Sequence, residues 1–461
     1  MKIKTLHRTY EEVMALPRPK HQKPWKPTWL MGTVMRIASA PDLWATRFSY
    51  TRDKKSEPRE PALILMNHSS FIDLKMASGI LYPRPYAIVC TTDAMVGKGL
   101  LMKLLGCIPT RKFVTDLSLI RDIKYMLKEK KTSVLMYPEA GYSFDGRATT
   151  MPAGLGGLLK MLDVPVLMIT THGAFARDPL YNGLQNRKVK VTADVTTLLT
   201  REQVKELPAE ALDAAVKEAF SFDNFAWQYE HNVRITEPFR ADGLHRILYK
   251  CPACKAEGHM EGKGTSLTCH ACGKSWYLNE LGRLEATEGE TEFPHIPDWY
   301  DWERACVRAE IDAGTYGLDT PVDIAMMVDY KGLYMVGEGR LTHGADGFVL
   351  DGCGGKLHYE QKPRSSYTLN ADFYWYCIGD VIGIGDRDAL YYCFPKPAVG
   401  TAAGDMSAEG ETSAKGDTSA AGDTSAAGGQ ICSVTKARLA TEELYKIAMA
   451  AKRKPLDKGE Q

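Results

Sequence analysis

The chain has 461 residues, of which 44% are hydrophobic and 25% are charged, and its formal net charge is +1. Its length allows two or three globular domains, each large enough to bury a core of its own. The composition is ordinary for a soluble globular protein, which excludes a chain dominated by disorder.

The first 60 residues are strongly basic, with 13 Lys and Arg against 6 Asp and Glu. Aromatic residues accompany these cations, among them Trp25, Trp29, Trp44 and Phe48. Rings beside cations suit an anionic lipid surface, so we expect residues 1–58 to form a membrane-surface segment, with Trp44 packed on the body of the protein instead. Arg36 and Pro41 interrupt the apolar residues before they reach the ~20 needed to cross a bilayer, which predicts no transmembrane helix.

The N-terminus lacks the layout of a secretory signal, because Glu11 and Glu12 follow its first cations and no apolar core precedes a small-residue cleavage site. Seven of the 11 cysteines are scattered without paired spacing, as expected of reduced thiols. We therefore expect a cytoplasmic protein that touches the inner face of the membrane.

Residues 62–220 alternate between strand-like and helix-like patterns. Strands are predicted at 62–66, 86–90, 133–137, 164–169 and 188–195, and helices at 74–80, 99–105, 118–128 and 155–162. A capping-box pattern at Thr200 opens a last helical region that runs to about Phe220. The alternation predicts an α/β domain over residues 59–240, with a mixed sheet and flanking helices. Ligands of such sheets bind at the carboxyl ends of the strands, where His68 and Glu139 both fall.

His68 and Asp73 lie five positions apart after the first of these strands. A neutral imidazole can take a proton from an attacking hydroxyl near pH 7, and a carboxylate on its other nitrogen fixes the tautomer and stabilises the imidazolium. The pair therefore predicts a general base with an orienting partner. The alternative interpretation is a strand-end histidine followed by an aspartate that caps a helix.

Three more motifs follow in order: residues 106–111 (Gly-Cys-Ile-Pro-Thr-Arg), residues 138–141 (Pro-Glu-Ala-Gly) and the apolar run 164–169. Together with the His68 motif they resemble the glycerolipid acyltransferase superfamily, typified by 1-acylglycerol-3-phosphate acyltransferase, over roughly residues 60–200. The resemblance implies transfer of a fatty acyl group from a thioester donor, acyl-CoA or acyl carrier protein, to a hydroxyl of a lysophospholipid-like acceptor. No acyl-enzyme is then required.

Carried over by position, the resemblance assigns His68 as the general base and Asp73 as its orienting partner. Arg111 would face the acceptor's phosphate, and Glu139 would sit in the acceptor pocket. The other substrate-binding residues that it implies are Asn67, Ser70 and Gly141.

The chain departs from the family pattern at the third motif, where Pro-Glu-Gly-Thr-Arg is usual and residues 138–142 read Pro-Glu-Ala-Gly-Tyr. The second phosphate-binding arginine is therefore missing, and the acceptor need not be lysophosphatidic acid. Arg147 is either its replacement or an ordinary loop charge, and we favour the loop charge.

Four cysteines form two Cys-x-x-Cys pairs, which are Cys251 with Cys254 and Cys269 with Cys272. Two such knuckles can deliver four thiolates tetrahedrally to zinc, so residues 245–290 are predicted to form a ribbon around a structural zinc ion. A redox dithiol and chance pairing are the alternatives. His259 and His270 are expected to lie outside the coordination sphere, because four cysteines already fill it. Few cations accompany the ribbon, so no nucleic-acid partner is expected.

Residues 295–455 are predicted to form a β-rich domain closed by a helix. Short strands with turn signals follow a helix-like stretch near Trp299, and their aromatic residues are predicted to fill a small core. An amphipathic helix is predicted at 438–452. Before it, a four-fold hexapeptide repeat of small polar residues predicts a disordered loop at 400–430.

The sequence leaves two functions open. The first is an acyltransferase that makes or remodels a glycerolipid at the cytoplasmic face of a membrane. The second is a non-catalytic lipid-binding or scaffold protein that uses the same fold. The presence of His68, Asp73 and Glu139 favours the first function, while the missing arginine keeps the second one open.

Overall fold

The structure is a computed structural model that describes residues 2–53, 57–112, 114, 117–396 and 428–453. A repeat loop was predicted at 400–430, and its residues 400–427 lie outside the described part of the chain. Three sheets, of seven, four and eight strands, organise the described part of the chain.

The first 52 residues contain strand β1 (Thr5–His7), helix α1 (Tyr10–Met14), helix α2 (Trp29–Ala45) and strand β2 (Ser49–Arg52). Helix α2 was not predicted from the sequence. It begins after Thr28, whose side-chain oxygen accepts a hydrogen bond from the Met31 N–H at 3.3 Å, and it continues through Pro41.

The predicted α/β region follows. Its elements in chain order are β3 (Leu63–Met66), α3 (Asp73–Leu81), β4 (Tyr86–Thr91), α4 (Gly99–Leu104), β5 (Cys107–Thr110), α5 (Leu117–Lys124), β6 (Ser133–Met136), α6 (Leu155–Leu162), β7 (Val166–His172), α7 (Ala174–Arg177) and β8 (Thr192–Leu199). With β2 they form one sheet in the order β2-β8-β7-β3-β6-β4-β5, in which only β7 and β8 pair antiparallel. The predicted mixed sheet with flanking helices is present.

Strand β3 lies at the centre of this sheet, and all four of its residues are buried. Leu63 and Leu65 pack into the core on one face, and Ile64 and Met66 pack into the core on the other. Burial on both faces explains why the strand reads as a continuous apolar run. Its carboxyl end therefore opens only at the edge of the sheet, between the carboxyl ends of its parallel neighbours β6 and β7.

Three short helices follow the sheet: α8 (Arg201–Glu206), α9 (Ala209–Ala219) and α10 (Asn224–Glu230). The capping box is formed, since Thr200 Oγ1 accepts from the Gln203 N–H at 3.2 Å and Gln203 Oε1 accepts from the Thr200 N–H at 2.8 Å. The predicted single helical region is divided at Pro208.

The helix predicted at 118–128 also divides, because α5 ends in a π-helical turn, Tyr125–Glu129.

The four-stranded sheet contains β9 (Met260–Lys263), β10 (Ser266–Cys269), β11 (Ser275–Leu278) and β12 (Leu284–Ala286). All its pairings are antiparallel, in the order β12-β11-β10-β9. Trp276 of β11 is fully buried and stacks edge-on against Trp299, with 5.0 Å between ring centroids. A small antiparallel sheet agrees with the shape expected of the ribbon.

The β-rich region begins with helix α11 and ends with helix α12. Its elements are α11 (Ile296–Asp312), β13 (Leu318–Met327), β14 (Leu333–Gly344), β15 (Gly347–Gly352), β16 (Leu357–Gln361), β17 (Asn370–Trp375), β18 (Gly379–Gly385), β19 (Leu390–Pro395) and α12 (Gly428–Arg453). The seven strands are antiparallel in the order β16-β15-β14-β13-β19-β18-β17. Helix α12 is longer than the predicted 438–452.

The expected N-terminal membrane-surface segment divides into two parts. Its first part joins the β-rich region, because β1 pairs parallel with β14 and Val13 of α1 is fully buried in that core. Arg18 Nε also donates to the Asp388 carbonyl oxygen at 2.8 Å. These residues are therefore structural parts of the C-terminal fold.

The second part, helix α2, packs on α3 and leaves an apolar face in solvent. Trp29 is 68% exposed and Ile37 is 67% exposed. Trp44, expected to pack on the body of the protein, is instead 85% exposed. Within the described ranges, no helix combines the length and the apolar character needed to span a membrane.

The β-rich region covers the sheet edge at which β4 and β5 end. Val96 and Val114, which follow those strands, pack into an apolar core with Trp375, Tyr392 and other residues of the eight-stranded sheet. The Tyr376 hydroxyl donates to Asp93 Oδ2 at 3.1 Å. The C-terminal region therefore forms one wall over the edge where ligands of such sheets bind.

Candidate active site

His68 and Asp73 contact each other at the carboxyl end of β3. Asp73 begins α3 and is fully buried, and its Oδ2 lies 3.1 Å from Nδ1 of His68. The same oxygen accepts the backbone N–H groups of Ser69 at 2.7 Å and Ser70 at 3.0 Å. Asp73 does not cap α3, because Ile72 occupies the N-cap position and the Asp73 carboxylate binds residues that precede the helix. The contact orients the imidazole, as expected of a partner to His68.

This contact decides which tautomer a neutral His68 imidazole adopts. Because a carboxylate accepts, Nδ1 of His68 carries the hydrogen and Nε2 is left with a lone pair. No described group is hydrogen-bonded to Nε2, and the His68 side chain is 22% exposed. Nε2 is therefore able to take a proton from a group that approaches it.

Two tyrosine rings enclose the imidazole, and neither was identified from the sequence. Tyr137 stacks on His68 with 4.1 Å between ring centroids and a 24° interplanar angle. Tyr142 lies 4.4 Å away, tilted by 49°. Burial raises the pKa of both phenols well above the usual value, so both rings are neutral. The two rings thus contact the imidazole directly and leave its side chain only partly exposed.

Glu139 is almost fully buried and holds the backbone of the site together. Its Oε2 accepts the His68 N–H at 2.6 Å, and its Oε1 accepts the Thr149 N–H at 3.0 Å. Burial raises the pKa of this carboxyl to about 8. Both oxygens are thus engaged by backbone donors, so Glu139 acts here as a clamp between His68 and the 138–149 loop.

The remaining residues implied by the resemblance lie near this clamp. Asn67 joins the ends of β3 and β7, because its Oδ1 accepts the Thr171 N–H at 2.7 Å and its Nδ2 donates to the Thr171 carbonyl at 3.2 Å. Oδ1 of Asp73 is buried without a partner among the described residues, and the Ser70 hydroxyl faces the Asp178 carboxyl, where it opposes the burial that raises the pKa of that group. A side chain at Gly141 would meet nothing within 4 Å, so the loop is open at that point.

Arg111 and Arg147 have different surroundings. Arg111 directly follows β5 and lies near Tyr392 of the β-rich region. Burial raises the pKa of the Tyr392 phenol, and the charge of Arg111 acts against that shift. Arg147 is bound to Asp145 at 2.6 Å and to Asp301 at 2.7 Å. Its charge is thus matched by two carboxylates, which favours the ordinary loop charge over a replacement for the missing motif arginine.

Comparison with known proteins identifies this part of the chain. Residues 47–171, about a quarter of the chain, match the family model described as Acyltransferase. The segment contains His68, Asp73, Arg111 and Glu139. It is an acyltransferase domain.

One solved structure similar to this chain is the 1-acyl-sn-glycerophosphate (LPA) acyltransferase PlsC from Thermotoga maritima. The two chains share 15% identity over 41% of this chain and 76% of that one, with a TM-score of 0.34. A similarity at that level supports no conclusion about the fold or the substrate. Among curated proteins, none matches the chain.

Outside the acyltransferase domain, the four paired cysteines converge as their spacing predicts. The Sγ atoms of Cys251, Cys254, Cys269 and Cys272 all lie within 4.8 Å of one another. Sγ of Cys251 is 3.8 Å from that of Cys272, and Sγ of Cys254 is 3.7 Å from that of Cys269. The expectation that His270 lies outside the cluster agrees with its contact to Glu261, at 3.0 Å. Four thiolates at these separations fit a tetrahedral metal ion.

Proposed function

We propose that the acyltransferase domain transfers a fatty acyl group from acyl-CoA or acyl carrier protein to a hydroxyl of a lysophospholipid-like acceptor. The observation that carries the proposal is the His68–Asp73 contact of 3.1 Å at the end of β3, within the segment that matches the family model. An imidazole oriented in this way is the group that the reaction requires, because an attacking hydroxyl must lose its proton.

His68 acts as the general base. The acceptor oxygen attacks the thioester carbonyl carbon while its proton passes to Nε2, and the buried Asp73 carboxylate stabilises the imidazolium. The tetrahedral intermediate then collapses, the carbon–sulfur bond breaks, and the leaving thiolate takes the proton back from Nε2. Atoms and charge balance without an acyl-enzyme.

The implied substrate residue Arg111 keeps its charge for the reactants. On the acceptor side, Arg111 supplies the cation, because Arg147 is neutralised by Asp145 and Asp301. With one arginine fewer than the family pattern, we propose an acceptor that carries less negative charge than a phosphomonoester.

We further propose that this chemistry takes place at the cytoplasmic face of a membrane. Helix α2 presents Trp29, Ile37 and Trp44 to solvent, and apolar rings near the cations Lys23 and Lys26 suit an interface with anionic lipid. Contact with the membrane would give the site access to acceptors that remain in the bilayer.

We also propose that Cys251, Cys254, Cys269 and Cys272 hold one structural zinc ion. The four Sγ atoms offer the soft, tetrahedral donor set that zinc prefers, and all four coordination positions are supplied by the chain. A site closed in this way contributes to folding and takes no part in the reaction.

The test is an acyl-transfer assay with purified full-length protein, labelled acyl-CoA or acyl carrier protein, and a panel of lysolipids with and without a phosphomonoester. We expect transfer to at least one acceptor by the wild type and a severe loss in His68→Ala. If the wild type binds lysolipid vesicles but transfers no acyl group to any acceptor, the protein is a non-catalytic lipid-binding protein and the proposal is overturned.

A further inference from the structure

The C-terminal helix α12 reaches the candidate active site from outside the acyltransferase domain. Building on the proposed function, we propose that Arg438 of α12 is a positioning residue that holds the 138–149 loop against His68. The acyltransferase centre is then completed by a helix that lies roughly 370 residues further along the chain.

The first link joins the loop to His68. The Ser143 N–H donates to the His68 carbonyl oxygen at 3.0 Å, and the His68 N–H donates to Glu139 Oε2 at 2.6 Å. Tyr142 of the same loop packs against the imidazole. The loop therefore holds both the backbone and the ring of His68, and a shift of the loop moves Nε2.

The second link joins the loop to α12 through Phe144, which is 2% exposed. The guanidinium carbon of Arg438 lies 3.9 Å from the centroid of the Phe144 ring. The ring of Phe373 lies 4.7 Å from the same centroid. A desolvated cation over an aromatic face is attracted to it. Arg438 therefore stabilises the position of the Phe144 ring, next to Ser143 in the chain.

The third link fixes Arg438 itself. Its Nε lies 3.4 Å from Oε1 of Glu442, one turn along α12. Arg304 donates to the other oxygen of Glu442 at 2.6 Å, and Thr368 Oγ1 donates to Oε1 at 2.6 Å. Although burial opposes it, the two arginines lower the pKa of Glu442 to about 2, so the carboxylate that anchors Arg438 remains charged.

Arg438 also acts on Glu139 through its charge. Burial raises the pKa of Glu139, and the Arg438 cation opposes that shift. At a pH above its pKa of about 8, Glu139 is a carboxylate, which accepts the His68 N–H more strongly than a neutral carboxyl does, and without Arg438 this range would begin at a higher pH. The packing link and the electrostatic link from Arg438 thus converge on the same histidine.

The experiment compares Arg438→Met with Arg364→Met in the full-length protein. Arg364 also binds α12, because its Nε donates to the Ala448 carbonyl oxygen at 3.1 Å, but it contacts neither Glu442 nor Phe144 among the described residues, which makes it a matched control. Acyl transfer and amide hydrogen exchange of residues 67–73 are measured together. We expect Arg438→Met to lower kcat about 10- to 100-fold, since a displacement of about 1 Å at a catalytic group has an effect of this size. The acceptor KM should stay within about twofold, because ground-state binding is retained.

Amide exchange reports on the clamp without any requirement for activity. We expect the His68 amide to exchange faster in Arg438→Met than in the wild type, and the His68 amide of Arg364→Met to exchange like that of the wild type. Arg438→Lys, which keeps the charge but loses the planar guanidinium, should fall between wild type and Arg438→Met. If Arg438→Met does not fold, Phe144→Leu replaces it, with the same expected exchange at His68.

Several results would overturn the proposal. They are unchanged kcat and exchange in Arg438→Met, equal losses in both arginine variants, or a raised acceptor KM with unchanged exchange, which would make Arg438 a direct acceptor contact. A wild type that transfers no acyl group would refute the proposed function, while the exchange comparison would still decide whether Arg438 positions His68.

Discussion

Arg147 binds Asp301 with both terminal nitrogens of its guanidinium, at 2.7 and 2.8 Å. Asp301 belongs to α11, so this bidentate pair ties the 138–149 loop to the start of the β-rich region. Arg147 also donates to the Pro297 carbonyl oxygen at 3.2 Å. An arginine whose donors are used in this way connects two parts of the fold and is not free to bind a phosphate.

The first prediction tests the base and its partner. We expect His68→Ala to lower acyl transfer by about 10² to 10⁴, the usual contribution of a general base, and to keep the fold because the side chain is partly exposed. Asp73→Asn should also lower turnover, since the amide retains an acceptor for the backbone but loses the charge that stabilises the imidazolium. Initial rates with the preferred acceptor measure both effects.

A second histidine–aspartate pair provides the control for this experiment. His172 Nε2 lies 2.9 Å from Oδ2 of Asp194, on β7 and β8, and neither side chain has a hydrogen bond to the 138–149 loop among the described contacts. Asp194→Asn should therefore leave turnover close to that of the wild type. Normal turnover in His68→Ala, or equal losses in Asp73→Asn and Asp194→Asn, would show that the catalytic assignment is wrong.

The second prediction concerns the pH dependence of stability. Glu139 has a folded-state pKa of about 8, above its ordinary value of 4.5, so the folded protein binds this proton more tightly than the unfolded chain. The resulting stabilisation is complete below about pH 4.5 and is lost as the pH rises towards 8. In Glu139→Gln the free energy of unfolding should therefore fall less steeply with pH, by up to about 1.4 kcal/mol per pH unit.

Unfolding midpoints measured from pH 5 to pH 8 give the slope for each variant. Asp178 and Asp372, whose pKa values burial raises to about 7 and about 6, contribute slopes of the same sign, so some decline should persist in Glu139→Gln. The exposed Glu230→Gln serves as the control. Parallel profiles for wild type and Glu139→Gln would contradict the prediction.

The third prediction is that one zinc ion binds per chain through the four paired cysteines. Metal analysis of protein purified without chelator should give one equivalent, and Cys254→Ser should lose it while Cys306→Ser keeps it. Chelation should melt the ribbon before the acyltransferase domain, because metal binding and folding of such sites are coupled. Zinc-free protein with four freely reactive thiols would rule the site out.

The fourth prediction is that the exposed face of α2 binds anionic lipid reversibly. Substituting Trp29, Ile37 and Trp44 with serine together should weaken sedimentation with anionic vesicles, while the exposed Tyr229→Ser should not. Since each cation near an anionic surface contributes on the order of 1 kcal/mol, binding should also decline as salt rises. Equal sedimentation by the triple variant and the wild type would leave α2 without this role.

Local patterns were enough to predict the centre of the fold and of the site. The apolar run before His68, the helix start at Asp73 and the spacing of the two cysteine pairs are all set by neighbouring residues. The structure accordingly contains the buried strand, the His68–Asp73 contact and the cysteine cluster. These features depend on short-range geometry, which sequence periodicity and motif spacing report directly.

What the sequence could not show depends on contacts between distant parts of the chain. Tyr142 and Arg438 act on the site only because the 138–149 loop and α12 are folded against it. Helix α2 was missed because Arg36 and Pro41 interrupt its apolar pattern, although Thr28 caps its start. A capping signal followed by an exposed apolar face could have identified it.

The parallel pairing of β1 with β14 sets an order of events during synthesis. Thr5 pairs with Leu333, so the first strand leaves the ribosome roughly 330 residues before its partner. At translation rates of about 5–20 residues per second, that interval is about 15 to 65 seconds. The residues of the acyltransferase domain emerge within that interval, while β1 still lacks the strand with which it pairs. The N-terminus can therefore join the C-terminal sheet only after β14 has been synthesised.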